Sequence, residues 1–86
     1  MYKTTQRFWR CFNELPEAIQ KLARKNFELL KSDLNYPSLH FKKVGKLWSA
    51  RIGINYRALA LKDGEDYIWV WIGTHDEYGQ ILKRDR

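Results

Sequence analysis

LHFKKVGKLWSARIGINYRALALKDGEDYIWVWIGTHDEY, residues 39–78, is the stretch whose reading decides the fold. Leu39 and Phe41 alternate with His40 and Lys42, the period of a half-buried strand. Gly45-Lys46 turns the chain, and Trp48, Ala50 and Ile52 then alternate with Ser49 and Arg51. Gly53-Ile54-Asn55 is the next bend. In the strand that follows, Arg57, Leu59 and Leu61 share one face while Tyr56, Ala58 and Ala60 share the other. Asp63-Gly64 is a strong hairpin signal. It leads into a strand over residues 67–72, where strict alternation sets Ile68, Val70 and Ile72 opposite Trp69 and Trp71. After Gly73 the polar cluster Thr74-His75-Asp76-Glu77-Tyr78 opens a short C-terminal helix or arm. Its acids lie near the start and Lys83 and Arg84 near the end, as a helix dipole favours, and Ile81 and Leu82 would anchor it.

Upstream of this meander the period changes to that of a helix. Phe8, Phe12 and Leu15 are spaced four and three apart, with Thr4 or Thr5 placed to cap them. A short strand near Tyr2 is also compatible with the pattern. Pro16 suits the first turn of a second helix, where its missing N–H is harmless, and Glu17 suits the dipole. Ile19, Ala23, Phe27, Leu30 and Leu34, joined by Leu22, form one apolar stripe, while Lys21, Arg24, Lys25, Glu28 and Lys31 lie largely elsewhere. The expectation is an α+β fold: two N-terminal helices on one face of a mostly antiparallel sheet of three to five strands. Two helices cover only one face of such a sheet, so its other face is exposed or used.

Length and charge narrow the function. The 86 residues make one domain, 1–86, whose core depends on large side chains such as its four Trp, five Tyr and four Phe. The net charge is +6, and it is unevenly spread: residues 34–62 hold six Lys/Arg and no acid. A basic excess concentrated in the strands points to an acidic partner, nucleic acid or an acidic protein. Cys11 stands alone in an apolar run, as a buried small hydrophobe in a reducing cytoplasm would. One Cys and two distant His residues make no ligand set, so no metal or cofactor is expected. Neither a signal peptide nor a membrane-spanning run is present, which implies no membrane role.

The order of elements, with FWRCFNELPEAIQKLARKNFELL, PSLHFKKV, WSARIGINYRALAL and WVWIGTHDEY, resembles the RelE/ParE superfamily of bacterial toxin–antitoxin systems across nearly the whole chain. Arg51, Gly53, Tyr56 and Arg57 are similar to the R-x-G…Y-R pattern of its central strands, and His75 and Tyr78 to its C-terminal polar cluster. The resemblance implies a toxin neutralised by a cognate antitoxin that wraps it, an amphipathic acidic helix covering exposed apolar residues and the basic face. RelE-type members cut mRNA in the ribosomal A site and so inhibit translation. ParE-type members share the fold but poison DNA gyrase and lack the nuclease residues, so fold alone does not separate the two.

RNA cleavage through the ribose 2′-OH needs a proton acceptor, a proton donor and cations for the phosphorane. Arg57 and Arg51 suit the last task because guanidinium pairs bidentately with phosphate. Lys42, Lys43, Lys46 and Arg51 are the expected RNA-binding cations, though neighbouring Lys42 and Lys43 point to opposite faces. His75 is the natural proton-transfer group and Tyr78 a base-stacking or assisting one. Each has a competing structural reading. Arg51 is a solvated strand residue, Arg57 a cross-strand ion-pair partner, His75 a helix cap, and Asp76 and Glu77 ordinary helix-start residues. The basic block lacks the carboxylate that some RelE-like nucleases place on an early strand. That leaves His75, Glu77 or the cations as proton acceptor, or a catalytically silent protein that only grips its antitoxin.

Overall fold

The computed structural model describes residues 2–33 and 39–84. Strand β1 (Tyr2–Thr4) leads into helices α1 (Gln6–Asn13) and α2 (Glu17–Ser32). Then follow β2 (Lys42–Val44), β3 (Leu47–Ile52), β4 (Tyr56–Asp63), β5 (Asp66–Thr74) and helix α3 (His75–Arg84). The five strands form one sheet in the order β1-β5-β4-β3-β2. β1 runs parallel to β5 and the other pairs are antiparallel. The two-helix, meander and C-terminal-helix order matches the sequence reading; the short first strand near Tyr2 makes the sheet mixed.

The helices are set by local chemistry. Thr5, not Thr4, caps α1: its extended backbone lets Oγ1 accept from Phe8 N at 3.1 Å, and the same hydroxyl donates to the Trp69 carbonyl at 3.1 Å. One residue thus starts the helix and ties it to β5. Pro16 is the N-cap of α2 rather than a residue of its first turn. On α2, Ala23 and Leu30 are fully buried while Ile19, Leu22 and Phe27 are half-buried; Leu34 lies outside the described residues.

The main core fills the space between α1, α2 and one sheet face. Phe8 and Phe12 are each 1% exposed, and Phe27 meets Trp69 edge-on with ring centroids 4.8 Å apart. Phe41 joins Trp48, Tyr67 and Trp69 in the same aromatic block. Truncating one such Phe to Ala costs about 3–5 kcal/mol, a large part of the roughly 5–15 kcal/mol that holds a domain together.

Further features depart from the sequence reading, beginning with β2, which starts at Lys42 and leaves Leu39 and Phe41 outside the strand expected of them. Strict alternation put Trp69 and Trp71 on one face, yet Trp69 sits in the helix-side core and Trp71 on the other side with Leu47 and Leu59. The cause is a bulge: Leu59 pairs with Trp71 and Ala60 with Trp69, leaving Val70 as the extra residue. One extra residue flips every side chain beyond it. The sheet face opposite α1 and α2 is also not wholly open. Helix α3 folds onto it, and Tyr78 and Ile81 cover Leu47, Leu59 and Trp71. Cys11, expected to be buried, is half-buried and touches both cores.

Candidate functional site

The part of the second face that α3 leaves uncovered carries the charged residues. β2–β3 register sets Lys42 beside Ser49, and β3–β4 register sets Arg51 directly opposite Arg57. The row ends at Gly73 on β5, which pairs with Arg57. His75 and Tyr78 come from the first turn of α3. Together with His40, just before β2, these side chains line one cleft of about 160 Å³. Its full lining is His40, Lys42, Ser49, Arg51, Arg57, His75 and Tyr78, without a carboxylate.

Both arginines are steered by the β3–β4 turn. Arg51 Nε donates to the Gly53 carbonyl at 3.0 Å, and Arg57 Nη1 donates to the Tyr56 carbonyl at 2.8 Å and the Ile54 carbonyl at 3.4 Å. Among the described residues no carboxylate pairs with either, so the cross-strand ion pair weighed for Arg57 does not form. Burial lowers the Arg57 pKa from its usual value, the facing Arg51 lowers it further, and Tyr78 opposes the shift. Two guanidinia side by side cost stability and gain only when an anion lies between them. The strand beneath is fixed from behind: Asn26 on α2 is buried and its Nδ2 donates to the Arg51 carbonyl at 3.4 Å. Gly53, at φ +64°, admits α2 at close range, since a Cβ there would lie 2.9 Å from Leu22 Cδ2.

The histidine side is anchored by a capping box. Glu77 N donates to Thr74 Oγ1 at 3.2 Å, and Thr74 N donates to Glu77 Oε1 at 3.1 Å. The Thr74 hydroxyl also donates to Oε1, at 2.9 Å. His75 N donates to the Asn55 carbonyl at 2.7 Å, joining α3 to the β3–β4 turn. The His75 and Tyr78 rings then lie one turn apart, centroids 6.0 Å from each other. Glu77 is therefore committed to the cap rather than reaching into the cleft.

Of the residues singled out from sequence, Arg51, Arg57, His75, Tyr78 and Lys42 come together. Lys43 does not, because it pairs with Trp48 and belongs to the helix-side face. Lys46 is exposed in the β2–β3 turn and does not line the cleft. His40 was missed as a candidate, although the alternation that placed Lys42 already put His40 on the same side. A second hollow of about 350 Å³, formed by Ile54, Asn55, Tyr56, Thr74 and Asp76, shares Arg57 and His75 with the cleft. An anion held at the arginines thus has room for a flanking group next to it.

Comparison with known proteins gives a consistent picture. The family model of the ParE-like toxin domain matches residues 17–80. No curated protein matches the sequence. Among solved structures, the fold is similar to the RelB–RelE antitoxin–toxin complex of Methanococcus jannaschii (TM-score 0.74, 19% identity, 92% of this chain and 96% of that one). It is similar to the toxin–antitoxin complex RelBE2 of Mycobacterium tuberculosis (0.66, 20%, 87% and 96%) and to the isolated RelE toxin of E. coli (0.64, 11%, 100% and 98%). At these identities the likeness is one of fold.

Proposed function

This chain belongs to the ParE-like toxin family, and from that premise we propose that it is the toxin of a toxin–antitoxin pair and acts as a ribosome-dependent mRNA endonuclease that stops translation. The observation that carries the reading is the meeting of Arg51, Arg57, Lys42, His75 and Tyr78 in one carboxylate-free cleft. A histidine and a tyrosine set against paired arginines suit phosphodiester cleavage, and this favours the nuclease reading over gyrase inhibition.

The chemistry follows from the placement. The scissile phosphate lies between Arg51 and Arg57, whose mutual repulsion it relieves, and their remaining N–H donors stabilise the charge that grows on the phosphorane. The 2′-oxygen attacks the adjacent phosphorus, its proton leaves, the P–O5′ bond breaks, and the 5′-oxygen takes up a proton. His75 serves one of these proton transfers. Tyr78 stacks on a neighbouring base, and Lys42 holds the backbone from the β2 side. The products are a 2′,3′-cyclic phosphate and a free 5′-hydroxyl.

The partner is an antitoxin with an acidic amphipathic segment. The acids of such a segment suit the second face, where Lys42, Arg51 and Arg57 line a cleft that holds no carboxylate, and they would occupy the place of the phosphate. The test is cleavage of a defined mRNA in a purified translation system, with ends mapped by primer extension, with and without ribosomes. Ribosome-dependent cuts by wild type that Arg57→Ala and His75→Ala abolish are expected. An intact message with wild type refutes the reading and turns attention to gyrase.

A further inference from the structure

We propose that His40 is the second proton-transfer residue of this cleft, so that two imidazoles, His40 and His75, divide the work of acceptor and donor in RNA cleavage. The proposal rests on the nuclease reading above and supplies what that reading lacks. Cleavage needs two proton transfers, no carboxylate lines the cleft, and Glu77 is held in the α3 cap. Lysine and arginine side chains are charged donors near neutral pH and cannot accept a proton in that state. His40 and His75 are the two groups of the lining that can both accept and give a proton readily at that pH.

Three observations place His40 there by construction rather than by accident. It lines the cleft together with Lys42, from the residues that lead into β2. It is flanked by anchors: Leu39 is 0% exposed, and Phe41 stacks on Trp48 at 5.2 Å and meets Tyr67 at 5.1 Å. With both neighbours locked into the helix-side core, the exposed imidazole stands on the outer side. Finally, the backbone of His40 has φ 45°, in the left-handed region. Among the described residues it is the only non-glycine there. Such a conformation is uncommon for a non-glycine residue, although histidine adopts it more readily than most, and it gathers at functional sites. The remaining titratable groups of the lining, Lys42 from β2, Arg51 from β3, Arg57 from β4 and Tyr78 from α3, are suited to holding the phosphate and stacking.

In the reaction one imidazole takes the 2′-OH proton as the oxygen bonds to phosphorus. The other delivers its proton to the departing 5′-oxygen as the P–O5′ bond breaks. No oxidant, reductant or co-reactant is required, and each imidazole ends in the state in which the other began. Proton exchange with water restores the pair.

The test uses His40→Asn, since asparagine tolerates the left-handed backbone and lacks an imidazole, together with His75→Asn. Both are assayed on ribosome-bound mRNA carrying either the ordinary 5′-oxygen or a bridging 5′-sulfur at the cut. A thiolate leaves without being protonated, so the sulfur substrate bypasses the proton donor and only the donor. Each variant is expected to lose about 10²–10⁴-fold on the oxygen substrate, the usual worth of one general acid or base. One variant, and only one, is expected to recover nearly wild-type cleavage on the sulfur substrate. Cleavage of the oxygen substrate by His40→Asn within threefold of wild type overturns the proposal. So does identical behaviour of the two variants on sulfur, which marks a structural or binding defect. Wild type that cuts neither substrate overturns the nuclease reading itself, and wild-type ribosome binding by His40→Asn confirms that the variant is folded.

Discussion

Gly73→Ala tests the architecture that brings α3 to the arginines. Gly73 pairs with Arg57 across the sheet and is buried. A Cβ built there would overlap the Trp71 ring at Cζ2 and lie 3.0 Å from Cη2 and 3.1 Å from Glu77 Oε1. Ordinary carbon–carbon contact begins at about 3.5 Å, so the indole must move by roughly one ångström. It has little space to do so: Trp71 is 6% exposed, with Leu47 and Leu59 on the sheet and Tyr78 and Ile81 of α3 packed against it. Overpacking of this kind costs about 1–3 kcal/mol. In a domain of this size each kilocalorie shifts Tm by about 4–8 °C, so a drop of roughly 5–20 °C is expected in thermal unfolding. The displaced helix carries His75 and Tyr78, so cleavage should fall by more than the unfolded fraction explains. Replacing Trp71 by Phe in the same chain removes the overlapping ring atoms. The double variant should then be more stable than the sum of the single effects by about 1 kcal/mol or more. Additive effects, or an alanine variant as stable as wild type, would show that the Trp71–α3 packing is not as described.

Other predictions follow from the same contacts. Arg57→Gln removes a charge facing Arg51 and is expected to leave stability unchanged or raise it by about 0.2–1 kcal/mol in denaturant titration, while cleavage falls about 10²–10³-fold. The lowered Arg57 pKa favours the neutral form on folding. Below that pKa the guanidinium is charged in both states, so this cost is constant there and adds no slope to a stability–pH curve. Glu77→Gln should keep cleavage within a few-fold, whereas Glu77→Ala should lose about 0.5–2 kcal/mol as the α3 cap opens; abolished cleavage in Glu77→Gln would make Glu77 the proton acceptor. Asp66 bonds Lys3 at 3.1 Å, and that bond holds its carboxyl below the usual carboxylate range. Its contribution is therefore present above that range and lost as pH falls through the lowered value, and Lys3→Met should shrink this part of the acid unfolding curve, leaving the share that the N-terminal amine supplies.

The fold was legible where one period ran unbroken. Alternation through residues 47–52 and 56–61 put Arg51 and Arg57 on the face away from Ala50 and Ala58, and the register bears this out. It failed at Val70, because a bulge leaves no mark in a period-two pattern of apolar residues, and Trp69 and Trp71 are equally at home on either face. The fate of the second face was also hidden. Tyr78 and Ile81 are three apart, one face of a helix, but the polar residues around them gave no sign that this face closes over Trp71. His75 and Tyr78 were found through their place at the end of a strand and their likeness to a known pattern. His40 offers neither signal, and only its parity with Lys42 in the sequence hints at its place. Lys43 fell away for the same reason of parity, and Lys46 because turns point where the hairpin takes them.

The most direct test of the central claim is the chemistry of the cut ends. Message from a ribosome-programmed reaction with wild-type protein should end in a 2′,3′-cyclic phosphate, with a 5′-hydroxyl on the downstream fragment, and Arg57→Gln should leave it whole. An uncut message together with inhibited gyrase supercoiling, or fragments ending in a 3′-hydroxyl, would contradict the account.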